Sequence, residues 1–454
     1  MKKILFLSIF LLGLYNATGQ NYYMTAPEGY GAATTGGAGT GSTTVTVSNY
    51  TDFYNAVNSN KTTLEVPKIV LVSGIIDFPT NHTSITIKNK SIVGLPGAKL
   101  RNLTNVKDGS GILYIKSGSN NVIIRNLIFE GPGANDVEGE DLLTNEGTNV
   151  WIDHCAFQDG LDGNFDNKGK ADNVTISWCK FSYLKGKGAK EHRFTNLVGS
   201  DFDDVPATGG KYSITFKNCY WAEGCVERMP RARNAELHIL NCYYSSSVAK
   251  LAIGLGGGIS NTTCYVENSN FVKIGTSSTV ANADIYEPYP EDGGTIAVKF
   301  DGCIKGTTPI TVTGLDAGTV SIPSYTYTVM PVADVATYVP NVSCGAGATL
   351  QVTTAGVIST NCPNLGVEDF ALNGVKLYPT FVNDILNIDL PDTVSGDATI
   401  DIYSIAGAKV FSSSKSNVTP GDKLSVNVAS LSKGVYLCTL QIGGTATTLK
   451  FIKE

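Results

Sequence analysis

Through the middle of the chain, short runs of β-branched and aromatic residues alternate with polar, turn-forming residues. None shows the three-to-four-residue spacing of a helix face. Asn121-Val-Ile-Ile-Arg-Asn-Leu127, Asn149-Val-Trp-Ile-Asp-His-Cys155 and Asn173-Val-Thr-Ile-Ser-Trp-Cys179 share one pattern, at intervals of 28 and 24 residues. It continues in Ile214–Cys219, Leu237–Cys242, Cys264–Ser269 and Ala297–Cys303. Repeats of this length point to a solenoid, and strand–turn units without helices point to a parallel β-helix, each turn stacking its strand on the last.

Aligned, the repeats form columns. One reads Leu127, Cys155, Cys179, Cys219, Cys242, Ser269, Cys303, an inward ladder of small side chains. The column before it reads Asn126, His154, Trp178, Asn218, Asn241, Asn268, Gly302, in part an asparagine ladder at a bend, its amides serving turn backbone groups. Five of the ten cysteines fall in this ladder and are read as mostly free, buried thiols. Cys344 and Cys362, outside the repeat, are the best disulfide candidates.

Both ends of the chain break the pattern. Lys2 and Lys3, an apolar run from Ile4 to Leu14, and the small residues Ala17 to Gly19 predict a signal peptide over residues 1–19. No later stretch is long and apolar enough for a membrane span. The β-helix is assigned to 20–350, a linker to 351–368 and a small β-sandwich to 369–454. The sandwich is read from alternating runs such as Ile385–Leu390, Thr399–Tyr403 and Leu424–Val428. This last module resembles the type IX secretion C-terminal sorting domain of Bacteroidetes, through Leu377-Tyr-Pro379, Ala406-Gly407, Gly434-Val-Tyr436 and Lys450-Phe-Ile-Lys453. The resemblance implies export to the cell surface or beyond, with the type IX secretion machinery as partner.

With 42% hydrophobic and only 16% charged residues, the chain is an ordered, strand-rich protein. A net charge of −6 gives no case for nucleic acid. The basic residues are nevertheless clustered: Lys185, Lys187, Lys190 and Arg193 form one group, and Arg228, Arg231 and Arg233 another, as suits an anionic ligand. Planar guanidinium groups match carboxylate partners. In Asp162-Gly-Asn-Phe-Asp-Asn-Lys168, an extended backbone projects Asp162, Asp166 and Lys168 from one face, a candidate site for a hard cation such as calcium. The repeat register places Asp162 and Arg228 on one flank of the coil, two turns and about 10 Å apart. A long insertion, roughly 183–211, lies between them, and such loops are where function tends to sit.

These features together identify a resemblance. Residues from about 27 to 310 resemble the polysaccharide lyase family 1 pectate lyases, most specifically through Trp151-Ile-Asp-His154 and Arg228-Met-Pro-Arg-Ala-Arg233. The resemblance implies a right-handed parallel β-helix, in an all-β chain, expected to act as a monomer. It also implies calcium-assisted β-elimination of polygalacturonate. Arg228 matches the catalytic base, Arg233 and Lys168 match substrate-binding residues, and Asp141, Asp162 and Asp166 match calcium ligands. A fourth carboxylate is Glu140 or Glu138, with Glu140 the choice. Arg193 stands where the family carries a lysine. Asp153 and His154 fall in the repeat strand and are read as structural. A guanidinium base implies an alkaline optimum, because that group holds its proton at neutral pH. Alternatives on the same coil are a pectin lyase acting on methyl-esterified polymer and a non-catalytic glycan-binding β-helix; the carboxylates speak against the first and a base against the second. A polygalacturonase needs a tight Asp cluster for acid and base work, and the sequence shows none beside a His-containing motif.

Overall fold

The structure, a computed structural model, describes residues 22–454 apart from 60–64, 136–137, 186–191, 208, 277–279, 311–318, 361–374, 392–393, 405–407 and 443–444. The expected signal peptide therefore lies outside the described residues. The chain divides into two compact units, Tyr22–Cys362 and Pro363–Glu454.

The larger unit is a parallel β-helix. Successive turns of chain supply strands to three long sheets, of ten, ten and eight strands in the order in which the chain visits them. One turn, for example, runs through Thr148–Asp153, Ala156–Gln158 and Phe165–Asn167. In the first sheet Ile124, Ile152, Ile176, Phe216, Ile239, Val266 and Phe300 are successive partners, the register that the repeats predict.

Between the first and second sheets the chain bends sharply through one residue in the left-handed region. Asn126, His154, Trp178, Asn218, Asn241 and Asn268 have φ between 42° and 57°, and Gly302 has φ 61°. Asparagine and glycine tolerate that conformation best, which explains why they dominate the column. The next residue of each turn points inward, giving the ladder of buried thiols. Beside it, Phe129, Phe157, Phe181, Trp221, Tyr244 and Phe271 stack ring on ring, with centroids 4.3 to 5.6 Å apart. Each such pair adds about 0.5–1.5 kcal/mol to the gain from burial alone.

The asparagine amides do more than serve their own turns. Asn241 donates to Met330 O (2.7 Å) and accepts from Met330 N (2.8 Å); Asn126 brackets Leu350 in the same way, at 3.0 and 2.8 Å. They thus clamp the segment that returns across the outer face of the first sheet. On that face Arg125 Nε donates to Asp153 Oδ2 (2.8 Å), His154 Nδ1 lies 2.9 Å from the same oxygen, and Ser177 Oγ donates to Oδ1 (2.6 Å). Burial would raise the Asp153 carboxyl, but His154 and Arg125 outweigh it and hold the group below its ordinary value. Asp153 and His154 are part of this buried lattice.

Gln351–Val352 and Ile358–Ser359, expected as linker, form a small antiparallel hairpin instead. Leu350 and Val352 pack on Leu71 and Val93, and that apolar contact fixes the segment to the coil. The smaller unit contains a three-stranded and a five-stranded sheet around Leu386, Ile388, Ile400, Ile402, Val426 and Leu440.

Among the described residues, eight cysteines are free and buried, five of them in the predicted column, and Cys344 is disulfide-bonded. Its expected partner, Cys362, lies outside the described residues. Burial pushes Cys303 up to about 12 and raises Cys179, Cys225, Cys242, Cys264 and Cys438 as well. The native protein should therefore react only slightly with Ellman's reagent, and all eight thiols should appear on unfolding without reductant. A count of ten after unfolding would show that the disulfide is absent.

Candidate active site

The third sheet builds the site. Its strands include Leu143–Asn145, Phe165–Asn167, Leu197–Val198, Arg231–Ala232 and Ile253–Gly256. Thr144 pairs with Asp166, Asn167 with Val198, Leu197 with Arg231, and Arg231 with Gly254. The carboxylate segment and the arginine segment are therefore two turns apart on one sheet, with Leu197–Val198 between them.

Arg228 is held by its backbone. Its carbonyl accepts from Asn196 N (2.8 Å) and from Thr195 Oγ1, just after the bridge that pairs Phe194 with Glu227. It has φ 59°, the left-handed region, uncommon for a long side chain and maintained only where surrounding contacts impose it. Its guanidinium sits 4.4 Å from the centre of the Phe194 ring. Arg228 also lines a small cavity of about 120 Å³ with Phe194, Glu227, Arg231, Leu251 and Tyr289.

Asp141 and Asp166 are both buried. Burial pushes the Asp141 carboxyl well above its ordinary value; Asp166 and Asp162 add to the rise and Lys168 opposes it. Asp166 is raised as well, by burial first, although Lys168 and Arg228 pull it back. Five predicted site residues thus share one electrostatic neighbourhood. Leu197 N donates to Asp166 Oδ1 at 2.9 Å. Gly163 keeps room for the first carboxylate, because a Cβ there would lie 2.4 Å from Asp141 Oδ1.

Asp162 lies at the edge of this group, its Oδ1 2.5 Å from His192 Nδ1. Among the described residues, no three acidic, imidazole or thiol groups converge on a single ligand point. Glu140 is turned away toward His82, 3.4 Å distant, and Glu138 pairs with Lys107 at 2.9 Å.

The remaining cations line the same face. Lys168 Nζ lies 5.5 Å from the Tyr114 ring centre. Arg233 Nη1 donates to Gly199 O (3.2 Å), and its Nε lies 2.9 Å from Asp292 Oδ2. Arg193 has φ 39°, and its carbonyl accepts from Val226 N at 3.1 Å. Lys187 and Lys190 lie outside the described residues. His192, Phe194 and Asp292 were not singled out in the sequence. The first two sit in the insertion beside Arg193, where a ring next to a cation is the usable signal; Asp292 belongs to no repeated motif.

Residues 5–349 match the family model described as pectate lyase, and residues 376–454 match that of a secretion system C-terminal sorting domain. A pectate trisaccharide-lyase of Thermotoga sp. is 33% identical over 205 residues, 44% of this chain and 50% of that protein. Pectate lyase D of Dickeya chrysanthemi is 30% identical over 278 residues, 52% of this chain and 66% of that one. The chain thus spans about half the length of the Thermotoga relative. Among solved structures, a polygalacturonate lyase fused to a self-assembling amphipathic peptide superposes with a TM-score of 0.57 at 22% identity, over 71% of this chain and 96% of that one. The cedar pollen major allergen superposes at 0.51 and 20%, over 68% and 90%. At such identities the likeness speaks for the fold. The sorting domain marks a secreted protein. With the family match running from residue 5 to residue 349, over the whole described coil that carries the site, the chain belongs to the pectate lyase family.

Proposed function

We propose that this protein is a calcium-assisted pectate lyase that cleaves (1→4)-α-D-galacturonan by β-elimination, leaving unsaturated oligogalacturonides. One observation carries the proposal: Arg228 shares an electrostatic neighbourhood with the buried pair Asp141 and Asp166 and with Lys168. The C5 hydrogen of a galacturonate unit lies α to a carboxylate and is weakly acidic. Arg228, fixed by Thr195 and Asn196, takes that proton in its neutral guanidine form, the form that alkaline solution favours. The C4–O4 bond then breaks, with the electron pair leaving on O4, which takes a proton from water, and a C4–C5 double bond forming. Lys168, Arg193 and Arg233 bind uronate carboxylates and stabilise the charge that grows on them.

The donor set suits calcium, an oxygen-loving cation. Two buried carboxyls, Asp141 and Asp166, are both raised, so a divalent cation can supply the positive charge that a proton otherwise provides. Asp141, Asp162 and Asp166 would hold it, and Glu140, engaged with His82, is the weakest candidate. Bound there, calcium supplies positive charge opposite the substrate carboxylate. The C-terminal module is read as the address for type IX secretion, and the lyase unit as a monomer.

Replacing Arg228 with lysine should lower kcat by a factor on the order of 10²–10⁴, the usual worth of a positioned base. Absorbance of the unsaturated product on polygalacturonate, with and without EDTA, measures this. Full activity in the variant, or product only on esterified pectin, would overturn the assignment.

A second test needs no turnover. Because the native carboxyls of Asp141 and Asp166 are raised, the folded protein binds more protons than the unfolded chain above the ordinary carboxylate value of 3.8. Without metal, their contribution to stability falls as pH rises through that window. Calcium should therefore raise Tm more at pH 8 than at pH 5, and the gain should shrink in Asp166→Asn. An equal shift at both pH values would count against this site.

A further inference from the structure

Two arginines of the Arg228–Arg233 segment meet a carboxylate that no repeat or motif contains. Arg231 Nη2 donates to Asp292 Oδ2 at 3.1 Å, and Arg233 Nε lies 2.9 Å from the same oxygen. Asp292 ends a short helical turn, Pro290–Asp292, directly after the strand Tyr286–Tyr289. That strand stacks on Ile253–Gly256, which in turn stacks on Arg231–Ala232. To reach the arginines, the Asp292 side chain must pass over the intervening strand.

That strand is cleared for it. A Cβ on Gly256 would lie 2.2 Å from Asp292 Oδ2, and one on Gly254 would lie 2.7 Å from the Tyr289 ring. Both glycines therefore leave a slot that any larger side chain would fill. In it Tyr289 lies under the Arg231 guanidinium, 3.8 Å from ring centre to Cζ, and walls the cavity that Arg228 also lines. Arg231 is thus held by a carboxylate and a ring, and Arg233 by the same carboxylate and the Gly199 carbonyl. A single anion between two cations also removes their mutual repulsion. Guanidinium groups held this way lose less freedom when they take a substrate carboxylate, and their planar forks keep a fixed aim.

We propose that Asp292 is a positioning residue. Seated in the slot left by Gly254 and Gly256, it aims Arg231 and Arg233 at a uronate carboxylate beside Arg228. The proposal rests on the galacturonan function above. A merely structural Asp292 would affect stability; a positioning one affects recognition of the carboxylate.

The test compares the full-length wild type with Asp292→Asn, Asp292→Glu and Gly256→Ala. Calorimetry gives Kd for trigalacturonate, and initial rates are taken on polygalacturonate and on methyl-esterified pectin. Asp292→Asn and Gly256→Ala should raise Kd and KM by about tenfold, the scale of one lost charge-assisted contact, with kcat within about threefold. Preference for the unesterified polymer should fall, and Asp292→Glu should recover part of it. Unchanged or tighter binding in folded Asp292→Asn would overturn the proposal, since the freed positive charge would then attract the polyanion without any need for aim. Gly256→Ala displaces the carboxylate without changing its charge and decides the matter if Asp292→Asn does not fold. Failure of all three variants to fold would make Asp292 structural and also overturn the proposal. A wild type that binds trigalacturonate but releases no unsaturated product from polygalacturonate removes the lyase function and leaves the Kd comparison to decide; one that neither binds the first nor cleaves the second overturns both.

Discussion

The coil depends on a single backbone requirement: at seven successive turns, from Asn126 to Gly302, the chain changes direction through one residue with φ between 42° and 61°. Such a bend is short enough to keep the turns in register and sharp enough to send the following side chain inward. A one-residue slip would exchange the inward and outward faces of a strand. The left-handed column is therefore the device that lets thiols stack on thiols and rings on rings over several turns. The functional face inherits this order, since Asp166 and Arg231 occupy matched positions two turns apart only because each intervening turn has kept its register.

At the site, electrostatics outweighs packing. Buried carboxyls repel one another and resist ionisation, while Lys168 and Arg228 draw them the other way. The result is a balance of opposite charges in a place with little water. In such a place each added charge counts for more than it would on the surface. The same logic applies on the outer face, where Asp153 is buried yet ionised because Arg125 and His154 surround it.

Much of this was legible in the sequence. The strand repeat, the thiol column and the nearness of Asp162, Asp166, Lys168 and Arg228 all follow from a period, and a period survives without coordinates. What escaped prediction lies where the period breaks. The direction of Glu140 is set by His82, some sixty positions earlier, and nothing in their spacing signals it. Asn126 and Asn241 suggested turn amides, but their second role requires a return segment whose path no repeat encodes. Gln351–Ser359 is rich in the polar and small residues of a linker, yet two apolar side chains, Leu350 and Val352, are enough to dock it.

The capping of the coil has a consequence for its durability. In a stack where each turn touches only its neighbours, unwinding begins at the ends. At the amino-terminal end the helix Tyr50–Val57 closes the core with Phe53, Ala56 and Val57. The segments that carry Asp141 through Arg228 follow the fourth to seventh of the ten first-sheet strands. Outer turns can therefore open and close many times in a harsh extracellular setting before a loss of order reaches the centre, much as a rope frays at its tips while the middle still carries load.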